Sequence, residues 1–137
     1  MTALTNYAED EIIKNIFRTG SFTKPAGLYV GLFTAAPGEA GGGTEVTGGS
    51  YARVASAPSD ANWAATVGGN GTTSNSVALT FPAPTANWGN VTHWGIFDAA
   101  SGGNLLVYAA LTTPKTINSG DAAPSFGVGA LTFQIDN

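Results

Sequence analysis

Apolar and polar residues alternate in five short runs, Gly27–Thr34, Ser76–Phe81, Val91–Asp98, Asn104–Thr112 and Phe126–Ile135. Alternation with a period of two sends one set of side chains to each face of an extended strand. In the first run Leu28, Val30 and Leu32 fall on one face, and Tyr29 and Phe33 on the other. Val77, Leu79 and Phe81 alternate strictly with Ser76, Ala78 and Thr80, and Pro82 and Pro84 follow to end the run. Leu131, Phe133 and Ile135 share a face of the last run, with Gly127 and Gly129 upstream on that face. Tyr51–Ser56 reads as a further short strand with Val54 inward.

One segment follows a helical period instead. From Asn6 to Phe17, the residues Ala8, Ile12, Ile13, Ile16 and Phe17 form an apolar stripe. Asn6 is placed to cap this helix, and Glu9 three residues on gives the capping-box spacing. The stripe suits either packing on the strands or docking on a neighbouring subunit. Between the strands lie turn formers: Pro37-Gly38, Gly41 to Gly43, Gly48-Gly49, Gly68 to Gly71, Ser101 to Gly103 and Asn118 to Asp121. We read Thr34–Gly49, Ala57–Ser74 and Thr113–Pro124 as loops. The pattern predicts a mainly β chain: an antiparallel β-sandwich or jelly-roll-like single domain with one short N-terminal helix. Residues 1–20 form the helical arm and 21–137 the sandwich.

Composition narrows the function. The 137 residues include five basic and nine acidic side chains, a net charge of −4. Scattered cations and an acidic balance leave no electrostatic footprint for nucleic acid, nor for an anionic membrane surface. The polar surface is then mostly Ser, Thr, Asn and backbone, and burying it against a partner desolvates few ions. No cysteine is present, which removes disulfides and thiolate chemistry. No apolar run approaches the length of a spanning helix, and the start lacks the basic and apolar regions of a secretory signal.

Candidate chemistry is sparse. A single histidine, His93, sits between Thr92 and Trp94, with no Gly-x-Ser-x-Gly turn in the chain. A structural role is its expected one. Glu39, Glu45, Asp60, Asp98 and Asp121 lie mostly in loops, and no loop holds enough acids for calcium. No phosphate-loop motif occurs. Trp63, Trp88 and Trp94 have faces on which sugars stack, although anchoring the core or the loops is the simpler expectation. The sequons at Asn70 and Asn90 are ordinary in a chain this rich in Asn and Thr. Neither a catalytic residue, a cofactor nor a metal is expected.

The order of segments carries a resemblance. Thr5-Asn-Tyr-Ala-Glu9 is followed by Leu28-Tyr-Val-Gly-Leu-Phe-Thr-Ala-Ala-Pro37, Gly42-Gly-Thr-Glu-Val46 and Gly49-Ser-Tyr-Ala-Arg53. Then come Thr73-Ser-Asn-Ser76, Trp88-Gly-Asn-Val-Thr-His-Trp-Gly-Ile-Phe-Asp98, Gly102-Gly-Asn-Leu-Leu106 and Leu111-Thr-Thr-Pro-Lys115. Over nearly the whole chain this resembles a family of small tailed-bacteriophage virion proteins commonly called phage tail fiber proteins. A fibre usually needs a long repetitive shaft, absent here, and the size resembles capsid cement proteins. The leading expectation is therefore a non-enzymatic cement protein, located in the virion and assembled in the host bacterial cytoplasm. It would bind the major capsid protein on the head's outer surface, and itself as a dimer or trimer. The alternative is a tail fibre or baseplate component that binds host glycan on Trp63 or Trp88. Expected contact residues are Leu4 and Tyr7 in the arm, and Glu45, Tyr51 and Arg53 in and after the glycine-rich loop. Arg53 suits a bidentate carboxylate pair, with a partner or within the chain.

Overall fold

Strands that alternate Val, Leu, Ile and Trp with small or polar residues need a second layer on their apolar face. The computed structural model, which describes residues 2–135, supplies it. In chain order the elements are β1 (Thr2–Leu4), α1 (Asn6–Phe17), β2 (Tyr29–Ala35), β3 (Thr44–Glu45), β4 (Val54–Ala55), β5 (Thr72–Ser74), β6 (Leu79–Thr80), β7 (Gly89–Phe97), β8 (Leu105–Ile117), β9 (Ser125–Phe126) and β10 (Thr132–Gln134). The main sheet is antiparallel and ordered β1-β8-β7-β2-β3. On the far edge of β2, β3 pairs with Phe33 and Ala35, and β4 with Tyr29 and Val30. Two ribbons, β5 with β10 and β6 with β9, complete the strands. The protein is thus mainly β and antiparallel with one short helix, in a sandwich-like arrangement.

The faces of β2 fall as its alternation predicts. Val30 and Leu32 join Val91, Trp94, Ile96, Val107 and Ala109 on the inner face, where Leu79, Phe81 and Leu131 of the second layer cover them. Phe33, Phe97 and Leu105 cluster separately, with Tyr29 and Tyr108 packed against them. Phe33 and Phe97 stack with ring centroids 5.9 Å apart. Gly31 and Gly95 pair across β2 and β7. A Cβ on Gly31 would come within 3.0 Å of the Phe97 ring, and one on Gly95 within 3.0 Å of Phe33. The glycine pair is what lets these rings lie over the sheet.

Several expectations need correction. Thr2–Leu4 is a strand on the edge of the main sheet, not part of a helical arm. The helix cap is Thr5 rather than Asn6: the Thr5 hydroxyl accepts from the Ala8 N–H at 3.4 Å. Thr44–Glu45 and Thr72–Ser74, read as loop, are short strands. β8 runs on through Thr113 to Ile117, also read as loop. Val91 pairs with Lys115 and His93 with Ala110, so Leu111 to Pro114 stand opposite Thr92 alone. This wide irregularity accommodates Pro114, which has no N–H for a ladder.

The second layer is less regular than its sequence pattern. Ser76–Phe81 contributes only Leu79–Thr80 as strand, and Val77 is partly exposed. Phe126–Ile135 splits into β9 and β10, with Gly129 at φ 75° between them. Asn75, fully buried, explains the break. Its amide nitrogen donates to the carbonyls of Val77 and Gly127, both at 2.8 Å, and its amide oxygen accepts from the Leu131 N–H at 2.9 Å. Its backbone exchanges further bonds with Leu131 and Gly129. One side chain thereby takes the place of ladder partners for the C-terminal segment. Asn75→Leu should lower stability by about 2–4 kcal/mol, because it leaves several buried backbone groups unpaired. The shift of the urea unfolding midpoint measures this, and an unchanged midpoint would refute the assigned role.

Candidate interaction site

Three of the five expected contact residues meet at one place. β3 and β4 leave a gap along the edge of β2, and there the Leu32 N–H donates to the Tyr51 hydroxyl oxygen at 2.9 Å. A side chain thus substitutes for the missing ladder partner. The Tyr51 hydroxyl donates in turn to Glu45 Oε1 at 2.9 Å. Arg53 grips the same carboxylate bidentately, Nε to Oε1 at 2.7 Å and Nη2 to Oε2 at 2.8 Å. Its Nη1 donates to the carbonyls of Ala99 and Gly102 at 2.7 and 2.8 Å. The guanidinium lies 3.3 Å above the centre of the Phe97 ring. The Arg53 side chain is only 7% exposed and that of Glu45 24%.

This cluster gathers the segments that carried the resemblance: Glu45, Gly49 to Arg53, Gly95 to Asp98 and Gly102 onward. It fastens the edge of β2 to the β7–β8 turn. Asp98 secures that turn, its carboxylate accepting from the Asn104 backbone N–H at 2.7 Å and from the Asn104 amide at 2.8 Å. The Tyr51 ring also meets Trp88 edge-on at 5.3 Å, and Trp88 donates to the Gly49 carbonyl at 2.9 Å. Glu45, Tyr51 and Arg53 therefore spend their polar atoms inside the chain.

The remaining two expected residues sit at the root of the arm. Leu4 pairs with Val107 and packs on the core. Tyr7 stands on the first turn of α1 and is 38% exposed. Between them Thr5 is buried, donates through its hydroxyl to the Leu105 carbonyl and, through its N–H, to Leu106 at 3.0 Å. The Asn6 N–H donates to the Glu39 carbonyl at 2.9 Å. The helix is firmly rooted, but its stripe is largely uncovered. Ala8 is buried, while Ile13, Ile16 and Phe17 are 48%, 63% and 75% exposed.

Trp88 and Trp94 are buried. Trp63 is half-buried and lines an open groove of about 370 Å³ with Leu28, Ile96, Leu106 and Phe133. Its indole N–H is out of contact with solvent and has no hydrogen-bond partner. His93 exchanges a 2.8 Å hydrogen bond with Thr92. Asp121 accepts from the Asn118 N–H at 2.8 Å in its own turn. Among the described residues no cluster of metal-ligating side chains forms.

The model of the family described as podophage GP4 fiber I protein gp80 matches residues 3–134. The chain belongs to this family. No curated protein matches it. A member of a phage fibre family is a virion structural component. The match favours the fibre alternative over the expected capsid cement role, and it covers the arm, the Glu45–Arg53 cluster and the groove alike.

The cluster's chemistry predicts how stability responds to mutation and pH. Arg53→Met should cost about 3–5 kcal/mol, since it strands a largely buried carboxylate. Arg53→Lys should recover only part of this, because an ammonium cannot fork onto Glu45 while holding two carbonyls. Urea midpoints of the two variants test both statements. Burial pushes the Tyr51 phenol above its ordinary value of 10.0; the Glu45 carboxylate adds to this, and the Leu32 hydrogen bond opposes it. The folded state thus holds this proton to higher pH than the unfolded state. Its contribution to stability is complete below about pH 10 and declines above it. Unfolding at about pH 9 and about pH 11 should show a larger alkaline loss for the wild type than for Tyr51→Phe. Equal losses would contradict the assignment.

Proposed function

We propose that this chain is a non-enzymatic subunit of a podophage fibre, carried at the tail, that joins neighbouring virion subunits through its N-terminal arm. The observation that carries this reading is the uncovered apolar stripe on a rigidly held helix. Burying a large apolar side chain contributes roughly 1.5–3 kcal/mol, so leaving Ile16 and Phe17 in water forgoes a substantial gain within the chain. A contact with a neighbour recovers it. Tyr7 belongs to the contact surface. Leu4 and the Glu45–Tyr51–Arg53 cluster hold the scaffold beneath it.

Capsid cement, the other assembly role, would use the same kind of surface on the head. Copy number separates the two. Quantitative mass spectrometry of purified virions should give a few copies per particle, and gold-labelled antibody should decorate the tail. Copies in simple proportion to the major capsid protein, with label on the head, would overturn the fibre reading.

A further inference from the structure

The chain carries both halves of one contact. The stripe Ile13, Ile16 and Phe17 is left exposed by its own chain, and the Trp63 groove opens at the chain's surface. We propose that the stripe of one copy seats in the Trp63 groove of a second copy. This rests on the assembly reading above and names its partner.

Three features of the groove select this occupant. Its walls are mainly apolar, from Leu28, Trp63, Ile96, Leu106 and Phe133. The one hydrogen-bond donor of Trp63 is closed off from solvent, so sugar hydroxyls do not reach it. Val67, 80% exposed, follows two residues after the groove residue Ala65 and extends the apolar surface.

Charge agrees with this docking. The ion pairs of the described residues are Lys14 with Glu11 and Arg53 with Glu45. Arg18, directly after Phe17, therefore has no ion pair among the described residues, and neither do Asp60 and Lys24 at the groove. Seating Phe17 in the groove brings Arg18 toward Asp60 of the other copy. The acids Glu9 and Asp10 of the same helix complement Lys24. The chain's own groove stays open because the helix is anchored at Thr5 and leaves Phe17 in solvent. The stripe and the groove are different patches, so the contact closes either reciprocally as a pair or head-to-tail as a ring.

The absence of cysteine makes the contact directly testable. Phe17→Cys and Ala64→Cys both fall at exposed positions, so each variant should fold. We expect the wild-type chain to sediment as a defined oligomer and Phe17→Glu as a monomer. Co-expressed Phe17→Cys and Ala64→Cys chains should form a disulfide-linked dimer under mild oxidation that neither forms alone. A monomeric wild type overturns the inference. So does an oligomer without the mixed cross-link, or one in which Phe17→Cys links only to itself. A host surface polysaccharide that shifts the Trp63 indole N–H resonance would assign the groove to a sugar instead. Tail labelling with a failed cross-link removes this inference and leaves the fibre reading. Head labelling with a successful cross-link does the reverse.

Discussion

The edge of β2 is where this fold is most exposed to failure. β3 and β4 each cover only part of it, and an open strand edge bears unpaired backbone groups that invite other chains. The structure closes the gap with a relay: the Leu32 N–H bonds to Tyr51, Tyr51 to Glu45, and Glu45 to Arg53. Each member is oriented by the next, and every link lies between groups that are at least partly buried. In a low-dielectric setting such a network rigidifies when it is fully satisfied and is costly when any member is lost. The guanidinium adds three further constraints, since it spans two carbonyls of the β7–β8 turn and the Phe97 ring. The glycines at positions 31 and 95 make the space in which this happens.

Asn75 does for the second layer what Arg53 does for the first. Both are long-range polar crosslinks in a chain poor in charge and without disulfides. Each binds backbone carbonyls that the strand pattern leaves unpaired, and each joins pieces far apart in sequence. A small sandwich with a glycine-rich set of loops has many conformations to lose on folding. Two buried polar hubs select one arrangement of those loops in a way that apolar contact, being non-directional, does not.

This division explains what was legible in the sequence. β2, β7 and the first part of β8 were readable because alternation there has one buried face, and a slip of one residue would expose it. The end of β8 was not, because Pro114 signals a stop unless the partner strand bulges around it. The C-terminal run looked like one strand because its apolar residues alternate. What splits it is an asparagine more than 50 residues away, a signal that no local pattern contains. Glu45, Tyr51 and Arg53 were expected as contacts to a partner, and the structure brings them together within the chain. Their polar atoms face one another, and composition alone does not reveal whether a cation pairs inward or outward. The helix boundaries followed from periodicity, whereas the cap shifted to Thr5 because the cap also had to bond to β8.

The arm shows why a firm root matters for assembly. Thr5 serves as both cap and tether, bonding to Ala8 within the helix and to the Leu105 carbonyl of the sheet. With Asn6 held by Glu39 as well, the direction of the helix is set before any partner arrives. A flexible arm would lose that freedom on docking and weaken the contact; a fixed arm has already lost it during folding. The exposed stripe is therefore tolerated by the monomer and pre-organised for a neighbour. The apolar core and the Arg53 and Asn75 hubs hold the fold without the arm's apolar face, which is free to be specified by assembly.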